Sequence, residues 1–366
     1  METKTYKLKD IATNFFYGSM PKPENLTDNG YPIFSGYRYV GFSNVYNIEK
    51  DTLIVVARGV GGTGDVKIAK AKSYLTNLSI AVELDETKVD LNYICPYMQK
   101  QGLRYLDTGA AQSQITINNL RNHKIQLPPL PTQRRIASIL STYDALIQNY
   151  KRQIAASQSA ASELYKEWFV RFRFPGYKNA KFDNGLPVGW KVEKLGNLAE
   201  ITAGGDNPTV FSEVKTDICK IPIYSNGIEN DGLYGYTNKP AINKESITVS
   251  ARGTVGFVCY RGEPYLPIVR LLSVTPKDTY LTAKYLYYYL KTAHLEGNGT
   301  SQQQITIPMI AKKKVVIPNE NEIIAFEKII TPIFEQIKKA NLQITNLTTQ
   351  RDLLLPRLMS GKLSVE

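Results

Sequence analysis

The chain has 366 residues, room for two or three domains each with its own core, and its 45 Lys and Arg against 33 Asp and Glu leave a net charge of +12. That excess favours a polyanionic partner, nucleic acid or an acidic membrane surface. No run approaches the roughly 18 to 20 uncharged apolar residues that span a bilayer and residues 1–10 are charged, so a soluble cytoplasmic protein that enters no membrane is expected. Cys95, Cys219 and Cys259 are odd in number and far apart, which supports neither a disulfide framework nor a metal site, and they read as buried thiols. With only His123 and His294, a zinc site or histidine-based acid–base chemistry is not supported.

Residues 1–128 carry short β-rich runs such as Thr52–Ala57 (TLIVVA), broken by Gly, Asn and Pro turns, and predict a mixed α/β domain. Tyr37, Arg38 and Tyr39 interleave aromatic and basic side chains, which suits a nucleic-acid surface as well as a half-buried strand. Arg58 opens RGVGGTG, whose Gly59, Gly61 and Gly64 fit the GxGxxG pattern of a nucleotide or methyl-donor site. The residues after Gly64, DVKIAKAKSYL, make no clear helix start, so a glycine-rich loop that lets an arginine fork reach a base edge or a phosphate is the better reading. Gln112 and Gln114 close the domain in GAAQSQITI; a carboxamide can bond adenine N6 and N7 together.

After Pro128, Pro129 and Pro131 the period changes to a heptad over residues 129–170, on Ile136, Leu140, Tyr143, Ile147, Tyr150, Ile154, Ser157, Ala161, Leu164 and Trp168. A basic linker, residues 171–189 with Arg171, Arg173, Lys178 and Lys181, leads into a second mixed α/β domain over residues 190–317. Its strand Ser246–Ser250 (SITVS) precedes Arg252 in ARGTVGFV, and Tyr234, Tyr236 and Lys239 again mix aromatic with basic. Gln302, Gln303 and Gln304 stand in GTSQQQITI, and Lys312, Lys313 and Lys314 form a basic run. Residues 318–366 return to helical spacing on Phe326, Ile330, Ile333, Ile337, Ala340, Ile344, Leu347, Arg351, Leu354 and Leu358, with Pro332 expected to kink or restart the helix.

The second half repeats the first. GAAQSQITI at Gly109 returns as GTSQQQITI at Gly299 and YPIFSG at Tyr31 as IPIYSN at Ile221, both shifted by 190 residues. VARG ending at Gly59 matches SARG ending at Gly253, and KLKDIA at Lys7 matches KLGNLA at Lys194. Four blocks in one order mark a duplicated module. The short linker lets the second helix pair with the first only by running back along it, so the expectation is an α+β protein: two related domains separated by two long antiparallel coiled-coil helices, with internal pseudo-two-fold symmetry. The glutamine blocks are nearly identical in the two copies, which favours a fold-forming or phosphate-contacting role over base reading, and the variable Tyr–Arg–Tyr and Tyr–Tyr–Lys segments are the better specificity candidates.

Several of these runs resemble the specificity subunits of type I restriction-modification enzymes, the HsdS family. The carrying residues are the two glutamine blocks, LPPLPTQRRIASIL at Leu127–Leu140, ELYKEWFVRFRFPG at Glu163–Gly176, LPVGWKVEKLGNLAEITAGG at Leu186–Gly205 and LLLPRLMSGKL at Leu353–Leu363. The resemblance implies two target recognition domains, each reading half of a bipartite double-stranded DNA sequence, and helices that set the spacer and dock partners. It implies no catalysis and no cofactor in this chain, with two methyltransferase subunits using S-adenosylmethionine and two restriction subunits using ATP and Mg. A scaffold pairing two proteins, and a chain that itself binds the methyl donor, are the alternatives; salt-sensitive duplex binding and methyl-donor binding separate them.

Overall fold

A run of consecutive apolar side chains needs cover on both faces, and residues 53–56 of TLIVV find it at the centre of the first domain, where all five residues of the strand are buried. The computed structural model describes residues 2–36, 38–59, 62–108, 113–277, 280–297 and 303–363. The chain divides into two units, Met1–Lys151 with Asn341–Glu366, and Arg152–Ala340.

The first unit runs through strands β1 (Lys4–Lys7), β2 (Ala12–Tyr17), β3 (Leu26–Thr27), β4 (Tyr31–Ser35), β5 (Arg38–Ser43), β6 (Thr52–Val56), β7 (Val66–Ala69), β8 (Tyr74–Leu75) and β9 (Ser79–Leu84). Helices α1 (Leu91–Gln101) and α2 (Ile117–Arg121), strand β10 (Lys124–Leu127), the long helix α3 (Leu130–Tyr165) as far as Lys151 and the C-terminal stretch from Asn341 complete it. One sheet has the order β2-β9-β6-β7, a second β3-β5-β4-β8, and β1 pairs antiparallel with β10, so that entry and exit of the domain are clamped together. Helix α1 starts where the Asp90 carboxylate accepts from the backbone N–H groups of Asn92 and Tyr93 at 2.9 and 3.1 Å, and it packs Tyr93, Ile94 and Met98 into the core beside β6 and β7.

The second unit begins inside α3 at Arg152 and, after that helix, has the hairpin β11 (Phe182–Asp183) and β12 (Leu186–Pro187). It continues through β13 (Lys191–Lys194), α4 (Leu195–Leu198), β14 (Ala199–Ala203), β15 (Ile221–Tyr224), β16 (Leu233–Thr237), β17 (Ser246–Val249), β18 (Val258–Arg261), β19 (Leu266–Pro267) and β20 (Leu272–Pro276). It closes on α5 (Ala283–Thr292), α6 (Ile307–Ala311), β21 (Lys314–Ile317) and the long helix α7 (Glu320–Met359) as far as Ala340. The sheet order β14-β20-β17-β18 reproduces β2-β9-β6-β7 strand for strand, and β13 pairs with β21 as β1 pairs with β10. The second sheet repeats too: Ile223 and Tyr224 run parallel to Leu266 and Pro267 as Ile33 and Phe34 run parallel to Tyr74 and Leu75.

One tight approach is also duplicated. A Cβ on Gly18 would lie 2.2 Å from the Leu75 carbonyl oxygen, and one on Gly204 would lie 2.6 Å from the Ile268 nitrogen, because in each copy the chain leaving β2 or β14 crosses the backbone at the end of the short parallel strand. Gly204→Ala is therefore expected to lower stability by about 1–3 kcal/mol as an overpacking change. Gly205→Ala, with open space at its Cβ, is expected to be near neutral. Paired urea melts of the two variants check this.

Both long helices bury the seam side of their heptads. In the first unit Ile136 and Leu140 of α3 lie in one core with Leu358 of α7, and Arg351 reaches Asp144 at 2.6 Å, so the helices run antiparallel there. Arg351, a polar interruption of the seam by sequence, is thus answered by an ion pair. In the second unit Tyr165, Trp168 and Phe169 pack on Phe326, with ring centroids 5.0 to 6.2 Å apart. Ile147 is buried, while Ile154, Leu164, Ile337, Ile344 and Leu354 are half-buried and Ile330 is fully buried.

Two expectations for the helices are corrected. Helix α7 runs through Pro332 without a break. Its exposed ring faces away from the core, the loss is one intrahelical N–H bond, and Phe326, Ile330 and Phe334 on either side are held in one apolar cluster. The regular heptad also ends early, because residues Lys166–Val170 form a π turn that brings both Trp168 and Phe169 into the core, where an α-helix would turn one of them outward.

Candidate nucleic-acid interface

The buried central strand of each domain ends in Ala–Arg, and at that end the glutamine block is laid alongside it. In the first domain the Ala57 carbonyl accepts from Ile115 N–H at 2.9 Å and Arg58 forms an antiparallel bridge with Gln114. In the second the Ala251 carbonyl accepts from Ile305 N–H at 3.0 Å, and the Arg252 guanidinium donates to Gln304 Oε1 at 3.2 Å. Residues far apart in sequence thus form one Arg–Gln pair per domain. Both arginines are exposed and both glutamines half-buried; in the second domain the glutamine side chain holds the guanidinium, while in the first the pairing is of backbones. Asp107 fixes the first block from behind, accepting from Gln114 N–H at 2.7 Å and from the Ser113 hydroxyl.

The aromatic and basic candidates lie elsewhere in each domain. Arg38 and Tyr39 sit on β5 and Tyr234 and Tyr236 on β16, the hairpin partners of β4 and β15. Arg38, Tyr39, Tyr234 and Lys239 are exposed, whereas Tyr236 is half-buried and exchanges two backbone hydrogen bonds with Ser212. The Tyr39 ring packs 4.1 Å from Phe34, and partial burial raises its hydroxyl pKa, offset in part by Lys70. Tyr37, Gln112 and Gln302 lie outside the described residues.

The chemistry of an enzyme is not assembled by the groups that were its best candidates. RGVGGTG leads into strand β7 and not into a helix, as a phosphate-binding glycine loop would, and Gly64 lies against the backbone of Leu103 and Arg104. Burial pushes the Cys95 thiol up to about 12 and the Cys259 thiol to about 11, which keeps both protonated. The buried His123 ring lies 2.7 Å from the Tyr105 hydroxyl through Nδ1, and desolvation lowers its pKa, so it is held neutral as part of the core. Among the described residues no group of His, Cys, Asp and Glu could hold a metal ion, and no helix is long and apolar enough to cross a membrane.

A feature missed by sequence lies beside Arg252. A cavity of about 640 Å³ is lined by Gly204, Gly205, Asp206, Asn207, Val269 and Arg270 together with Arg252. Its rim is shaped by Asn226, whose amide donates to the Val269 carbonyl at 2.6 Å while its oxygen accepts from Ala251 N–H at 2.8 Å. The signal was present: Asn226 is the last residue of IPIYSN, where the otherwise matching YPIFSG ends in Gly36.

The family model described as the type I restriction modification DNA specificity domain matches residues 1–156 and again 187–353, one match for each copy of the repeat. A putative type I specificity subunit of Mycoplasma pneumoniae, S.MpnORF507P, is 26% identical over 326 residues, which cover 87% of this chain and 86% of the relative. A second from the same organism, S.MpnORF89P, is 28% identical over 254 residues, covering 68% and 74%. Among solved structures, the S subunit of a type I restriction-modification system from M. genitalium shares the fold, with a TM-score of 0.65 at 18% identity over 98% of this chain and 96% of that one. With two copies of the same recognition fold and matches along most of its length, the chain belongs to the type I restriction-modification DNA specificity family, the non-catalytic subunits that give these enzymes their DNA target.

Proposed function

We propose that each domain reads one half of a bipartite duplex sequence, and that the length of the two long helices sets the spacer between the halves. The observation that carries the reading is the duplicated presentation of an exposed arginine at the end of a buried strand, beside the glutamine block laid along that end, in two copies of one fold; the pairing is through the backbone at Arg58 and Gln114 and through the side chains at Arg252 and Gln304. Because the pair is shared by domains that would read different half-sites, its natural role is to hold the DNA backbone, with bases read by residues that differ between the copies. At about 1.5 Å per residue the 36 residues of α3 extend about 54 Å, a length suited to a ruler along DNA.

In this reading the chain brings no cofactor. Two modification subunits carrying S-adenosylmethionine and two restriction subunits using ATP and Mg dock on the helices and supply methylation and cleavage, in the cytoplasm where the DNA is. The exposed apolar side chains Leu146 of α3 and Leu342 and Leu353 of α7 lie off the buried seam and suit such docking.

The test is duplex binding by the assembled complex as a function of salt. Arg58→Ala and Arg252→Ala are each expected to weaken binding by about 1–3 kcal/mol and to flatten the salt dependence by about one phosphate contact. Unchanged affinity and an unchanged salt slope would remove the arginines from the interface. Binding that ignores salt altogether would favour a scaffold between two proteins.

A further inference from the structure

The two domains share their framework down to single hydrogen bonds, so the places where they differ locally mark where a different base pair is read. One such place stands out. In the first domain the Leu78 carbonyl accepts from both Ala57 and Arg58 N–H groups, at 2.8 and 3.1 Å, and closes the loop directly onto the end of β6; Gly36 sits beside it and has no side chain to intervene. In the second domain Asn226 replaces that glycine. Its side chain inserts between Ala251 and Val269, taking the Ala251 N–H for itself. The turn beyond is then forced into the left-handed region at two successive residues, Val269 at φ 51° and Arg270 at φ 60°. A β-branched residue rarely tolerates this conformation, and the strain is held in place by backbone bonds from Val269 to Gly205 and from Arg270 to Gly204, at 2.8 and 3.0 Å.

The result is a local arrangement that differs from that of the first domain. Arg270, exposed and free of any ion pair or hydrogen bond from its side chain among the described residues, stands on the rim of the 640 Å³ cavity, where its counterpart by the matched hydrogen bonds is Leu78. Arg252 lines the same cavity, oriented by Gln304. Asp206 lines it as well, an exposed carboxylate. A carboxylate is repelled by a phosphate, which argues against a pure backbone clamp. It accepts well from the exocyclic amine of cytosine, while an arginine fork donates to O6 and N7 of guanine. A fork donor and an acceptor lining one cavity can address the major-groove edge of one base pair.

We infer that Arg270 and Asp206 read a G·C pair in the second half-site, with Asn226 as the residue that positions the turn carrying Arg270. This rests on the reading of the chain as a two-domain DNA reader. The shared Arg252 would hold the neighbouring backbone.

The experiment selects preferred sequences from a randomised duplex library with the full chain in its assembled complex, for the parent and for Arg270→Ala, Arg270→Lys and Asn226→Gly. The parent is expected to select two separated blocks, with a G·C pair in the second. Arg270→Ala should reduce discrimination at that one pair roughly ten- to a hundredfold and leave the first block intact. Arg270→Lys keeps the charge but not the fork, and is expected to lose the same discrimination while keeping most of the affinity. Asn226→Gly should lose it too, with the first block intact and at a temperature where its unfolding curve shows it folded, a change confined to one base pair that a merely structural residue would not produce. Equal weakening at every position, with Lys rescuing Arg270, would make Arg270 a phosphate contact and overturn the proposal, as would a second block without a G·C pair or unaltered selection by all three variants. If the parent itself selects no split sequence, the two-reader function fails first, and that outcome is distinguished by the parent alone.

Discussion

Replacing Lys191–Ile317 by the matching stretch of a relative with a different target is expected to change one half of the methylated sequence completely and leave the other half and the spacer as they were. The cut follows the structure. Strands β13 and β21 pair over four residues, Lys191 with Ile317 through Lys194 with Lys314, so a segment bounded there enters and leaves the domain at one place and carries its own closing strands. Trp190 must stay with the recipient, because its ring packs on Phe169, Phe172 and Phe174, which lie outside the exchanged segment. The donor must in turn supply what the helices expect: aromatic rings in place of Tyr285 and Tyr288, which contact Tyr165 and Phe326, and a cation in place of Lys284, which bridges Glu327 of α7 at 3.3 Å and Glu245. Lys284 is nearly buried, so a donor leaving Glu327 unpaired is expected to be destabilised rather than respecified. Sequencing of methylated DNA from cells carrying the chimera reads both halves at once. A change in both would mean that the domains do not read independently.

The duplication was legible because it repeats apolar and glycine-rich blocks whose spacing the fold conserves, and the helices because a heptad is a local pattern. The Arg–Gln pairs were legible only as separate residues. Nothing in a linear reading placed Gln114 beside Arg58 or Gln304 beside Arg252, since the bridge forms only when the loop after α1 or α5 returns across the end of the central strand. The aromatic and basic segments on β5 and β16 stand out by composition, which does not reveal that Tyr236 is tied to a neighbouring backbone. Arg270 was invisible for a different reason. Its interest comes from a left-handed turn imposed by Asn226, a tertiary effect with no signature beyond one mismatch in a repeated block. Pro332 misled in the opposite direction: a strong local rule was overridden by the packing of the residues around it.

If helix length sets the distance between the readers, removing one heptad from each long helix is expected to shorten the preferred spacer or abolish recognition. The cut must respect what the helices do at their ends. Deleting Ile147–Gln153 from α3 and Asn341–Leu347 from α7 takes seven residues from each and keeps both apolar seams in phase. It spares the Arg351–Asp144 ion pair, and it spares Phe334, whose ring lies 4.7 Å from that of Tyr260. Seven residues at about 1.5 Å remove about 10 Å of helix, close to three base pairs of B-form DNA at about 3.4 Å each. The same three pairs rotate one half-site by about 100° relative to the other, if a turn takes about 10 to 10.5 pairs. Rigid readers would then lose one half-site altogether, and readers with torsional freedom would accept a spacer about three pairs shorter. Either result is read by selecting from duplexes in which the two half-sites are fixed and the spacer is varied. A single-helix deletion serves as the control, since it puts the seams out of register and is expected to lower the unfolding midpoint as well as binding. Undiminished methylation of the original target at its original spacing by the folded double deletion would show that helix length does not measure the DNA, and the spacer would then have to be set within the recognition domains.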